Sequence, residues 1–247
     1  MRKLAAQIPN LITSLNLISG SAAVIFAIDG HLTLAGIFIC LAAVFDFLDG
    51  LAARTLQAYS EIGKQLDSLA DLISFGLAPA AILFTLLELS LFGKNMPVHQ
   101  ITAGWAQWLI LFSATLMPVF GAVRLALFNT RTAGHFFRGL PIPANGIFWA
   151  SMGLILEVSP FPGNSQMIYS TGNLFFMGLF TSVMMVISLP MFSLKFTDLR
   201  LKENWYRYIF LFIAIILIVV LKVHGIALTI LTYIALNFLF YLFKVKY

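Results

Sequence analysis

The chain alternates long apolar runs with short polar punctuation. Runs bounded by turn or charge signals predict membrane spans at roughly 9 to 28, 32 to 53, 68 to 90, 105 to 128, 143 to 158, 172 to 192, 206 to 221 and 224 to 243. Crossing the hydrocarbon takes roughly 20 apolar residues, so the pattern predicts about eight transmembrane helices. Only Lys222, Val223 and His224 separate the last two, which form either a tight hairpin or one long interrupted segment. The first run follows Arg2 and Lys3 and contains Ser19-Gly20-Ser21-Ala22, features shared with a secretory signal. Its Asn10, Thr13, Ser14 and Asn16 suit instead a helix that lines a polar cavity. With no repeat, low-complexity tract or flexible linker, residues 1–247 read as a single integral membrane domain.

Composition sharpens this into an all-α polytopic membrane protein. Hydrophobic residues make up 60% of the 247 positions and charged residues 10%, against about 45–50% and about 25% in soluble domains. A soluble globule and a disordered chain are both excluded. Cys40 is the only cysteine, so no intramolecular disulfide framework exists. About eight spans leave no room for a separate soluble catalytic domain, and any chemistry must sit among the helices. The net charge of +5 comes without a basic block that could follow a phosphate backbone, so no nucleic-acid partner is expected.

Where the positive charges fall predicts the orientation. With a cytoplasmic N-terminus, the inner loops and helix ends carry Arg2, Lys3, Arg54, Lys64, Arg124, Arg131, Arg138, Lys195, Arg200, Lys202, Arg207, Lys244 and Lys246. The outer side then carries only Lys94 and Lys222. The positive-inside rule therefore puts both termini on the cytoplasmic side, in the cytoplasmic membrane.

Four of the six aspartates fall in one stretch, as Asp46 and Asp49 and then Asp67 and Asp71. An intramembrane carboxylate costs roughly 2.5 to 3.5 kcal/mol on insertion scales, so four together need compensation. Asp46 and Asp49 stand three residues apart and Asp67 and Asp71 four apart, so each pair shares a helix face. The first pair ends span two and the second opens span three, so a short loop folds the faces together. Hard oxygen donors at a membrane boundary suit Mg²⁺ or Mn²⁺. Zinc does not fit, because His31, His99, His135 and His224 are scattered. Gly50 and Ala53 keep the Asp46 face low, and Arg54 either binds phosphate oxygens or pairs with an aspartate. A buried polar network or interfacial snorkelling explains one aspartate near a helix end far better than four with paired spacing.

These residues form the pattern Asp46-x2-Asp49-Gly50-x2-Ala53-Arg54-x8-Gly63-x3-Asp67-x3-Asp71, which resembles the signature of the CDP-alcohol phosphatidyltransferase family at every fixed position. The resemblance implies a six-helix membrane core, here roughly 1–200 with the signature at 46–71, and an extra helix pair over 201–247. It also implies a homodimer that transfers a phosphatidyl group from a CDP-linked lipid to an alcohol and releases CMP. Under it, Asp46, Asp49, Asp67 and Asp71 are metal ligands for two divalent ions, and Asp71 is the general base. Gly50, Ala53, Arg54 and Gly63 line the CDP-lipid site. Thr13 and Asn16 meet the cytosine or ribose, or else make interhelical hydrogen bonds.

Further segments resemble the branch of that family whose acceptor is L-serine. They are Pro9-Asn10 through Asn16, Asp67 through Pro79, Arg124 through Asn129, and Phe137 through Ala144. CDP-diacylglycerol and L-serine are then the expected substrates, together with surrounding membrane lipids. A zwitterionic acceptor needs a cation for its carboxylate, and Arg124, Arg131 and Arg138 are candidates on the aspartates' side of the membrane. The same arginines also serve as topology determinants or lipid-phosphate contacts. Asp29, Glu88 and Glu157 are expected as solvated charges at outer helix ends. Trp105, Trp108 and Trp149 are expected as interfacial anchors or lipid-facing bulk, and Trp205 as an inner anchor.

Two rival readings remain at this level. One is the same reaction with another alcohol, such as glycerol 3-phosphate or an inositol phosphate. The other is a cation or proton transporter, although such sites favour the bilayer midplane and internal repeats, neither of which is visible here.

Overall fold

A computed structural model describes residues 7–130, 137–158, 165–192 and 200–244. Eight apolar helices dominate them. These are α1 (Gln7–Ile28), α2 (Leu32–Thr55), α3 (Glu61–Phe92), α4 (Trp105–Thr130), α5 (Ile142–Val158), α6 (Thr171–Val186), α7 (Leu201–Leu221) and α8 (Val223–Leu242). Six are long and apolar enough to span a membrane, while α5 and α6 are shorter, at 17 and 16 residues. One antiparallel pairing joins β1 (Phe137–Arg138) to β2 (Pro190–Met191). The chain is thus an all-α polytopic membrane protein, as its hydropathy predicts.

Packing follows membrane rather than aqueous logic. The buried stripe of α1 is Pro9, Thr13, Asn16, Gly20, Ala23 and Ala27, all small or polar. Leu11, Ile18 and Ile25 on its other side are 66%, 62% and 67% exposed, a face suited to lipid. Against the inward stripe lies α2, through Ala35, Ile39, Ala42 and Asp49. Between apolar surfaces in lipid there is little hydrophobic drive, so small residues that allow close approach and interhelical hydrogen bonds select the interface.

The central helix is α3, by far the most enclosed of the spans. It starts seven residues before its hydropathic boundary, as a polar turn whose N-cap Ser60 Oγ accepts from the Gly63 N–H at 2.9 Å. Hydropathy cannot register those first two turns. The ladder then widens into a π-helical turn over Leu72–Leu77 directly after Asp71. Such turns loosen backbone carbonyls from the regular ladder, and here the Phe75 carbonyl accepts from Asn145 Nδ2 of α5 at 3.4 Å. The Thr85 hydroxyl, further along, donates to the Ala27 carbonyl at 2.7 Å.

Three expectations change. Glu88 is buried, not solvated, and accepts from Asn95 Nδ2 at 2.9 Å and the Met96 N–H at 2.7 Å, which offsets its desolvation. Glu157 is exposed but structural: its carboxylate accepts from the Leu32 and Thr33 N–H groups at 2.9 and 2.7 Å, capping α2. Trp149 has no exposed surface; its indole N–H donates to Thr181 Oγ1 at 3.1 Å in the core. Trp105, by contrast, is 79% exposed and Asp29 pairs with His31 at the surface, as expected. Around Lys222, whose φ of 50° breaks the helix, α7 and α8 form a hairpin that packs onto α5 through α8.

Candidate active site

The site grows from the α2–α3 corner. Asp46 and Asp49 project from the last turns of α2, and Asp67 from the second turn of α3. One carboxylate oxygen from each of the three lies within 4.8 Å of the others. Like charges that close repel strongly unless a cation lies among them, and three hard oxygen donors fit Mg²⁺ or Mn²⁺. Asp49 is oriented from α1, where Thr13 Oγ1 donates to its Oδ2 at 2.6 Å. Such outer hydrogen bonds fix a ligand's rotamer and basicity.

Asp71 does not join that cluster of three. It lies one turn deeper on α3, within electrostatic reach of Asp46, Asp67 and Asp49. Its Oδ1 accepts from Asn16 Nδ2 at 3.5 Å. Asn16 is itself held from the π turn, since Ser74 Oγ donates to Asn16 Oδ1 at 2.7 Å. Asn16 has no exposed surface, lines neither cavity and makes the interhelical hydrogen bond that was one of its two expected roles.

Two cavities meet at this corner. The first, about 490 Å³, is lined by Thr13, Asp46, Asp49, Gly50, Ala53, Arg54, Gly63 and Asp67, every signature position except Asp71. A Cβ on Gly50, on the cavity wall, would touch only Arg54 Nη2, at 3.9 Å, so the glycine leaves room beside that guanidinium. Gly63 is needed for another reason: a Cβ there would come within 2.7 Å of Asn10 Oδ1 and 2.8 Å of Ser60 Oγ. The guanidinium of Arg54 is anchored by one bond, Nε to the Gly50 carbonyl at 2.8 Å, and is exposed on this cavity's rim.

The second cavity, about 530 Å³, shares Lys64 and Asp67 with the first. Asp71, Ser68, Arg124 and Asn129 supply its polar wall. Arg124 lies within electrostatic reach of Asp71, and its buried Nε has no hydrogen-bond partner among the described residues. Asn129 Nδ2 donates to Ser68 Oγ at 2.9 Å, tying α4 to α3. Arg131 and the side chain of Arg138 lie outside the described residues. The apolar wall comes from the start of α5 and from Phe192, Phe210, Ile230 and Tyr233. Residue spacing alone did not reveal Ser68, Asn129 or that aromatic wall, although Asn129 closes the Arg124–Asn129 segment already noted. The wall itself has no sequence signal, because aromatic residues in apolar spans are commonplace.

Known proteins share part of this sequence. The chain is 34% identical over 150 residues to archaetidylserine synthase of Methanothermobacter thermautotrophicus, covering 60% of this chain and 58% of that protein. It is 34% identical over 148 residues to CDP-diacylglycerol–serine O-phosphatidyltransferase of Mycobacterium leprae, covering 57% and 44%. The enzyme of that name from Bacillus subtilis is 32% identical over 141 residues, covering 57% and 71%. The match thus spans about half the length of the first two relatives. The sequence profile of the CDP-alcohol phosphatidyltransferases matches residues 6–194, enclosing the whole signature, and the chain belongs to that family.

Proposed function

We propose that the protein transfers the phosphatidyl group of CDP-diacylglycerol to the hydroxyl of L-serine, giving phosphatidylserine and CMP. The observation that carries this reading is the seam at Asp67. A cavity bearing the carboxylate cluster opens onto a second one bearing Asp71 and a buried, incompletely partnered arginine. The names of the relatives point the same way.

Asp46, Asp49 and Asp67 would hold the divalent metal, and Asp71 would contribute to a second ion in a two-metal arrangement. Such ions neutralise a pyrophosphate and stabilise the leaving phosphate. The remaining work falls to the chain's own groups. Gly50, Ala53 and Gly63 leave the nucleotide room, and Arg54 offers its free N–H groups to phosphate oxygens. Asn16 holds Asp71 by Oδ1, leaving Oδ2 to take the proton of the serine hydroxyl. The hydroxyl oxygen bonds to the lipid-side phosphorus as the bond to the bridging oxygen breaks, and CMP departs with that oxygen. Arg124 receives the serine carboxylate, and the side-chain carbonyl of Asn129 lies on the wall available to its ammonium. In-line transfer needs mainly positioning of this kind.

The distribution of basic residues supports an orientation with both termini and the site on the cytoplasmic face. By its family membership the protein is also read as a homodimer in the membrane. The test is CMP release by purified protein supplied with CDP-diacylglycerol, Mg²⁺ or Mn²⁺, and a panel of alcohols. Release dependent on L-serine is expected. Release only with glycerol 3-phosphate or an inositol phosphate would move the protein to another acceptor, and no release with any alcohol would end the reading.

A further inference from the structure

The family match ends at residue 194, and α7 and α8 lie beyond it. Yet these helices contribute to the wall of the second cavity: Phe210 comes from α7, and Ile230 and Tyr233 come from α8. Phe192, from the segment before them, completes the wall. Phe192 is clasped at both backbone polar groups. Its N–H donates to Asn237 Oδ1 at 2.8 Å, and its carbonyl accepts from the Tyr233 hydroxyl at 2.7 Å. Asn237 in turn donates to the Tyr233 carbonyl at 2.7 Å. Tyr233 and Phe210 pack edge-on against the Phe192 ring, with centroids 5.1 and 5.9 Å away.

The clasp reaches the opposite lip. The residues just before Phe192 form β2, which pairs with β1, and β1 leads into Pro141–Ala144 on the cavity's other side. In lipid such satisfied hydrogen bonds and close ring packing, rather than apolar burial, decide where a helix pair sits. No residue of α7 or α8 lines the first cavity. The pair therefore touches one half of the site and not the other.

We propose that the α7–α8 pair is the acceptor-selecting half of the active site, with Phe192, Phe210, Ile230 and Tyr233 setting the size and placement of the small zwitterionic alcohol held between Arg124 and Asp71. This deepens the reading of the second cavity as the acceptor's site and rests on it. The CDP-lipid is bound independently of this wall.

The test is steady-state CMP release by the full-length protein carrying Phe210→Ala, Ile230→Ala or Tyr233→Phe, with Val219→Ala as control. Val219 is 73% exposed on α7, away from the cavity. Phe210→Ala is expected to raise the KM for L-serine about tenfold or more and to improve the rate with L-threonine relative to L-serine. Tyr233→Phe is expected to raise it about two- to tenfold, the worth of one hydrogen bond. The KM for CDP-diacylglycerol should stay within about twofold in each. Parallel shifts in both KM values, no shift in either, or an equal effect from Val219→Ala would overturn the proposal. If Phe210→Ala does not fold, Phe210→Leu carries the same test. If the wild-type protein uses another alcohol, the serine reading falls, while the KM split measured with that alcohol still decides the role of the wall.

Discussion

The carboxylates and the apolar wall beside them are held by different means. Two of the carboxylates are steadied by short polar side chains from α1, Thr13 for Asp49 and Asn16 for Asp71. In the second cavity, aromatic rings around Phe192 form the wall, and hydrogen bonds serve the backbone behind it. The first arrangement fixes charge to within a hydrogen-bond length. The second fixes volume. That division suits a centre whose chemistry is common to a family while its acceptor differs from branch to branch.

The strongest way to break the contrast is to remove only the carboxylate proposed as the base. Asp71→Asn is expected to lower turnover by about 10²- to 10⁴-fold, the range for losing a general base, while much of the CDP-lipid binding survives. Asp46→Asn is expected to impair metal-dependent binding as well. Equal loss of lipid binding in both, measured by titration with CDP-diacylglycerol, would contradict the assigned roles.

A subtler cut separates a ligand from its support. Thr13→Val removes the hydrogen bond to Asp49 but keeps the side chain's shape. Loss of such outer-shell partners typically costs about 10- to 100-fold in metal affinity. The Mn²⁺ concentration for half-maximal CMP release should rise accordingly, with kcat recovered at saturating metal. A lower kcat at saturation would assign Thr13 to substrate rather than to Asp49.

The smallest expected effect lies away from both sides. Glu157→Ala removes the cap from α2 at the end opposite the aspartates. Losing such a cap should cost about 0.5–2 kcal/mol of stability, read as a lower unfolding temperature in detergent with both KM values unchanged. A changed KM would mean that the far end of α2 is coupled to the carboxylates.

Much of this was readable from residue order, and the limits have physical causes. Apolar run length locates spans well, and the spacing of Asp46, Asp49, Asp67 and Asp71 shows the site because charge is so costly in lipid. The same economy hides the core. A bilayer makes the outward face of a helix as apolar as its inward face, so nothing in the pattern marked Trp149 as central. Glu88 looked like a surface charge because its partners, Asn95 and Met96, belong to a loop whose path only the fold reveals. The π turn after Asp71 breaks the 3.6-residue period that places side chains on faces, and the second cavity joins residues more than a hundred positions apart.

The shortness of α6 reaches beyond the protein. At 16 residues it is about 24 Å long, against a hydrocarbon layer of about 30 Å. Phe176 and Phe180 are 66% and 44% exposed along it. Where so short a helix faces lipid, the bilayer thins toward it or flanking residues make up the difference, at fractions of a kcal/mol per Å of mismatch. The expected consequence is a local thinning of the membrane beside α6. Reconstitution in bilayers of shorter acyl chains should relieve the strain and raise turnover relative to thick bilayers, a dependence on host thickness apart from any preference among substrate chains.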